Sequence, residues 1–90
     1  MFRLLPDADV QAFIDADDRV QMEFFYQQRG LVRRTTGRGP DGWIVITLWG
    51  SEEDAAASAK AAEDDAIHTA FMSFVDPESI EVKHFFSREG

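Results

Sequence analysis

The period of the apolar positions changes several times along the chain, and each change marks an element. Phe2 to Leu5 is a short apolar run that reads as a strand. Pro6, Asp7 and Asp9 then supply helix-start chemistry, with carboxylates near the positive end of a helix dipole. Val10, Phe13 and Ile14 recur at helical spacing. The same face continues through Asp17, Gln21, Phe24, Phe25 and Gln28. This predicts a first helix running to about Gln28 and stopping at Gly30. The carboxylates of Asp15, Asp17 and Asp18 mark a place where it could bend.

Leu31 to Thr36 is rich in β-branched residues and predicts a strand. Gly37, Gly39, Pro40, Asp41 and Gly42 form a turn cluster. Trp43 to Trp49 is apolar or β-branched at every position. The two runs make a β-hairpin. A strand wetted on one face should alternate, and this one does not. It therefore asks for cover on both faces: its own helices on one, a second copy of the chain on the other. Trp43 and Trp49 share a parity and face one side.

Ser51 is an N-cap followed by Glu52, Glu53 and Asp54, and an alanine-rich helix runs from Ala55 to Ala62. Ile67, Ala70, Phe71 and Phe74 continue at helical spacing until Asp76 and Pro77. Ile80 to Phe86 predicts the last strand, with Val82 and His84 on one of its faces. The order is β-α-β-β-α-β across a single domain, residues 1–90. That is an α+β, ferredoxin-like arrangement with an antiparallel sheet and both helices on one face.

Composition sharpens this picture. Ninety residues with a 44% apolar share and eight Phe carry more apolar surface than one small globule hides. Nine Lys+Arg against seventeen Asp+Glu leave a net charge of −8. Nucleic-acid phosphates and anionic membranes are disfavoured as partners. With no cysteine there is no disulfide, no thiolate nucleophile and no Cys-ligated metal. The absence fits a reducing cytoplasm. Met1 to Leu5 is too short for a signal-peptide apolar region, and no apolar run reaches transmembrane length. A cytoplasmic protein is expected.

Ile46 to Ala55 (Ile-Thr-Leu-Trp-Gly-Ser-Glu-Glu-Asp-Ala) resembles the strand-to-helix junction of the antibiotic-biosynthesis-monooxygenase-like dimeric α+β barrels. Ile67 to Phe71 resembles the His-bearing segment of their second helix, and Gln28 to Val32 their second-strand start. The resemblance spans roughly residues 28–74. It implies a homodimer and a ligand cavity under the helices. It also implies a cofactor-independent monooxygenase-like oxidoreductase acting on an aromatic, quinol-like molecule. The alternative is a non-catalytic binding or interaction module on the same scaffold. Heme-degrading members carry an Asn on the first strand and a Trp in the second helix. This chain has neither there, so heme is disfavoured and no cofactor is expected.

His68 is the sharpest candidate, as a general base or, less favoured, an iron ligand; the bland alternative is a helix His that caps or packs. A metal would need more ligands, and His84 is the only other histidine. Tyr26 could offer a phenol to the same cavity or sit on its rim. Asp17 and Gln21 could form a polar end of the cavity, or the helix could bend and leave both outside. Phe24, Trp49 and Phe71 would supply aromatic wall, although Trp49, like Trp43, serves equally as core or interface. Arg33 and Arg34 point to opposite faces, and one could bind an anion or pair with surface acids. Residues 55–62 are chemically silent, and either pack closely on the sheet or leave space beneath.

Overall fold

Asp9 starts the first helix as the sequence suggests: its carboxylate accepts from the backbone N–H groups of Gln11 and Ala12. The computed structural model describes residues 1–81, 85, 86 and 88. Helix α1 runs Val10–Glu23 without interruption through the three carboxylates. It ends earlier than the periodicity predicts, and a 3-10 turn, Phe25–Gln27, takes the chain on. The side-chain amides of Gln27 and Gln28 donate to the Met22 and Phe24 carbonyls. The Met22 carbonyl is one that a helix end leaves open, while the Phe24 carbonyl also accepts from the Gln27 backbone N–H at 3.1 Å. Gly30 then turns the chain at φ +81.

Strands β1 (Leu31–Gly39) and β2 (Gly42–Trp49) form the hairpin, longer and tighter than the turn cluster suggests. Their antiparallel register sets Arg34 opposite Thr47 and Thr36 opposite Val45, with an irregularity between Leu31 and Arg33. Helix α2 (Glu52–Glu63) is capped by the Ser51 hydroxyl. Helix α3 (Ala66–Met72) is separate from it, because Asp65 restarts the helix by accepting from the His68 N–H at 2.8 Å.

The last strand, β3 (Phe85–Phe86), pairs parallel to β2 through Leu48 and Trp49. A crossover through two helices returns the chain in its original direction, which makes a parallel neighbour. The described residues thus form an α+β fold with a three-stranded mixed sheet and three α-helices. This corrects the predicted antiparallel sheet. Among the described residues the full β-α-β-β-α-β order is not seen either, because the chain start divides its pairing. Phe2 bridges Trp43, with backbone bonds of 2.7 and 2.8 Å, while Leu4 bridges Val75. The Arg3 carbonyl accepts from Asp76 and the Leu5 N–H donates to Phe74. Gly42, at φ +142, lets Phe2 approach, since a Cβ there would meet the Phe2 carbonyl. Of the predicted last strand, Val82, Lys83 and His84 lie outside the described residues.

The core centres on Phe13, which is fully buried. Its ring lies 4.9 Å from Trp43, 5.3 Å from Phe71 and 6.0 Å from Phe2, centroid to centroid. Such contacts join α1, β2, α3 and the chain start. The two faces of β2 then part company. Val45, Thr47 and Trp49 face the helices, whereas Ile44 and Ile46 are 39% and 42% exposed on the far side. No helix among the described residues is long and apolar enough to cross a membrane.

Candidate functional site

Ala55, Ser58 and Ala62 recur at i, i+3 and i+7, so α2 presents small side chains to the sheet. Little fills the gap, and a cavity of about 360 Å³ lies between α2, α3 and β2. Val45, Thr47 and Trp49 line it from the sheet, His68, Phe71 and Met72 from α3. Phe25 and Arg34 close one end. The small residues of α2 leave space rather than close-packing.

Arg34 dominates that end. Its side chain is only 1% exposed. Nη2 donates to Asp17 Oδ1 at 2.9 Å, and Nη1 donates to Gln21 Oε1 and Thr36 Oγ1, each at 3.2 Å. The Thr36 hydroxyl donates to the same Asp17 oxygen at 2.9 Å. Asp17 and Gln21 share a face of α1 one turn apart, and Arg34 and Thr36 share a face of β1, so the four meet by spacing alone. The guanidinium carbon lies 4.8 Å from the centre of the Phe25 ring and 5.4 Å from that of Phe71. Its Nε is buried without a hydrogen-bond partner. A buried donor left unmet costs about 1–3 kcal/mol.

Two polar groups on the wall itself lack partners among the described residues. Ser58 is buried, and among the described residues its hydroxyl makes no hydrogen bond. The His68 ring packs against Phe24 and Phe25, at 5.6 and 5.9 Å between centroids, and neither of its nitrogens is hydrogen-bonded among the described residues. Burial pushes the His68 pKa below its ordinary value of 6.5; Asp65 pulls it up and Arg34 pushes it down. The net effect is downward, so the ring is neutral near pH 7. A neutral imidazole with free nitrogens can take or give a proton.

The remaining candidates divide. Trp49 and Phe71 are on the wall, with the Trp49 indole N–H donating to Thr47 Oγ1 at 3.2 Å. Asp17 and Gln21 stand behind Arg34 and hold it, rather than lining the space themselves. Phe24 is packed in the core, and Tyr26 is exposed and off the lining. Arg33 faces away with Thr35. His84 lies outside the described residues. Among the described residues no group of three or more His, Cys, Asp or Glu side chains could hold a metal ion.

No family model, curated protein or solved structure matches the chain. The functional reading rests on the chemistry of the cavity.

Ser58 is the residue that sequence reading passes over, hidden in a run of alanines. The available signal was its register: it is the polar member of the Ala55–Ala62 face. Arg34 was visible as one of two arginines, but its buried partner came from an element seventeen residues away.

The lowered His68 pKa sets a pH dependence. Unfolded chain takes up its proton near pH 6.5, while the folded protein resists protonation until a lower pH. Stability therefore falls as pH drops through 6.5 and levels off below the folded pKa. Urea midpoints between about pH 7.5 and pH 5.5 should fall less steeply in His68→Gln than in the parent. Equal slopes would contradict the burial of the ring.

Proposed function

We propose that this domain binds a small aromatic molecule in the cavity between the sheet and helices. The observation that carries this is an apolar, aromatic-walled space bearing two polar groups without partners among the described residues, the Ser58 hydroxyl and the His68 ring. Ligand sites are commonly concave and apolar, with a few placed polar groups. An apolar cavity of about 150 Å³ takes one benzene ring, so about 360 Å³ has room for roughly two fused rings.

A second reading adds catalysis, and the neutral, unbonded His68 ring favours it. It is a cofactor-independent, monooxygenase-like oxidoreductase acting on a quinol. His68 takes a proton from a ring hydroxyl, and the electron-rich anion reacts with dioxygen. With 1,4-dihydroxynaphthalene, dioxygen would give 2-hydroxy-1,4-naphthoquinone and water, one oxygen atom going to each product. Tyr26 has no part in this step, being off the cavity wall. No cofactor is called for, and a cytoplasmic setting suits a chain without cysteine.

Calorimetry with 2-naphthol tests the binding reading. Saturable binding is expected, weakened about tenfold or more in Ala55→Leu, whose side chain grows into the space. No binding at millimolar probe would overturn it. In the same preparation, dioxygen uptake with 1,4-dihydroxynaphthalene should fall about a hundredfold or more in His68→Ala. Binding without uptake leaves the non-catalytic module.

The partner we propose is a second copy of the chain, on the outer face of the sheet. Ile44, Ile46 and Leu48 centre that face, with Arg33, Thr35 and Gly37 as their register neighbours on β1. None of these six residues is acidic, although the chain carries −8. Two copies can therefore meet there without opposing carboxylates. Sedimentation at micromolar concentration should show a dimer for the parent and a monomer for Ile46→Glu; a monomeric parent would contradict the pairing.

A further inference from the structure

We infer that the hairpin-tip half of the β1 edge docks an acidic, extended segment of a partner protein, which adds to the sheet as one more strand. β1 ends the sheet, and no described residue pairs with its other side. The hairpin register decides which groups face that side. Trp43 bonds Phe2 through both its N–H and its C=O, at 2.8 and 2.7 Å, so both point away from β1. Its register partner Arg38 therefore points its own N–H and C=O away from β2, to the open edge. Thr36, two residues back, does the same. Arg34 is next in that series, but it is buried. The usable edge is thus Thr35 to Gly39. Among the described residues nothing bonds the outward backbone groups of Thr36 and Arg38.

The charge along this edge is opposite in sign to that of the molecule. The chain carries −8, yet residues 24–40 contain no Asp or Glu. They hold Arg29, Arg33, Arg34 and Arg38, four of its nine Lys+Arg. Asp17 answers Arg34, and Asp54 stands 3.9 Å from Arg29. Arg33 and Arg38 make no ion pair with a described residue, Asp41 at the adjoining turn included. Arg38 is exposed, and its guanidinium carbon lies 5.0 Å from the centre of the Trp43 ring. Held over that ring, its side chain makes no hydrogen bond among the described residues. Its planar fork is open to a carboxylate.

Together these features define the occupant. A row of open backbone groups hydrogen-bonds an extended peptide, and unpaired arginines beside it favour acidic side chains. A second copy of the chain fits poorly. Two β1 strands joined edge to edge would set Arg33 and Arg38 beside their own counterparts, with no acid in the segment to answer them. Nucleic acid offers phosphates but no strand of amides, and it must approach against −8. The docking is independent of the cavity, and it leaves Ile44 and Ile46 on the outer face to the dimer proposed above.

Fluorescence anisotropy at low ionic strength tests this with a short labelled peptide of alternating Thr and Glu. In a strand added to β1, the residue opposite Arg38 shares its face and bonds its backbone. A Glu there meets both the guanidinium and the open amide. Saturable binding is expected below about 1 mM, and about tenfold weaker or worse in Arg38→Glu. The same peptide N-methylated at its Glu residues keeps every charge but loses the edge bonds, and should bind the parent protein about tenfold more weakly or worse. A peptide of alternating Thr and Lys should not bind. Absence of binding by the Glu peptide would overturn the inference. Equal binding of its N-methylated form would also overturn it, since charge alone would then suffice. A short oligothymidylate that bound as tightly as the Glu peptide would show a general polyanion site and overturn it too. Should Arg38→Glu not fold, the N-methylated peptide on the parent protein decides the matter.

Discussion

The ion pair between Arg34 and Asp17 is the interaction on which the rest of the structure depends. It fastens the middle of β1 to the middle of α1, with Gln21 and Thr36 completing the set. The guanidinium is almost wholly removed from water, so its charge must be answered inside the protein. Such a pair adds little net stability beside a well-packed apolar alternative. Its leverage lies in the penalty for breaking it, because one partner alone is a buried charge. That penalty fixes the distance and register of α1 over the hairpin. It also holds a cation beneath Phe25 and Phe71, at the end of the cavity.

The cavity follows from two opposed features. Phe13 and its aromatic neighbours fill one end of the space between layers. Alanines and a serine on α2 leave the other end open. Close packing at the first end keeps the layers apart at the second, since interiors resist collapse around rigid aromatic spacers. Arg34 stands between the two regimes. Its donors toward α1 are satisfied, and its Nε is not. His68 reaches the cavity from α3 with its imidazole kept neutral by burial.

Much of the local structure was legible in the sequence because its causes are local. Asp9 and Ser51 cap the helices that follow them in the sequence. The unbroken apolar run from Trp43 to Trp49 is a strand, and its odd positions face the helices. The misreadings concern non-local choices. Periodicity alone could not show that Gln27 and Gln28 cap the end of α1, or that Asp65 restarts a helix. Nor could the apolar run Phe2 to Leu5 reveal that its pairing is shared between Trp43 and Val75. At the site, His68, Trp49 and Phe71 carried recognisable chemistry. The role of Asp17 and Gln21 did not, because a polar residue on an apolar helix face is ambiguous until its partner is known. That partner lies on a strand whose distance from the helix only the folded chain decides.

A double-mutant cycle in urea tests the centrality of the ion pair most directly, using Arg34→Met, Asp17→Leu and the two combined. Removing Arg34 alone should destabilise the fold by about 3–5 kcal/mol, since it strands the Asp17 carboxylate. The combined variant should recover most of that loss, giving a coupling of about 1.5 kcal/mol or more. If the two single effects merely add, the pair does not govern the packing of α1 on the sheet, and this account of the fold and of its cavity is wrong.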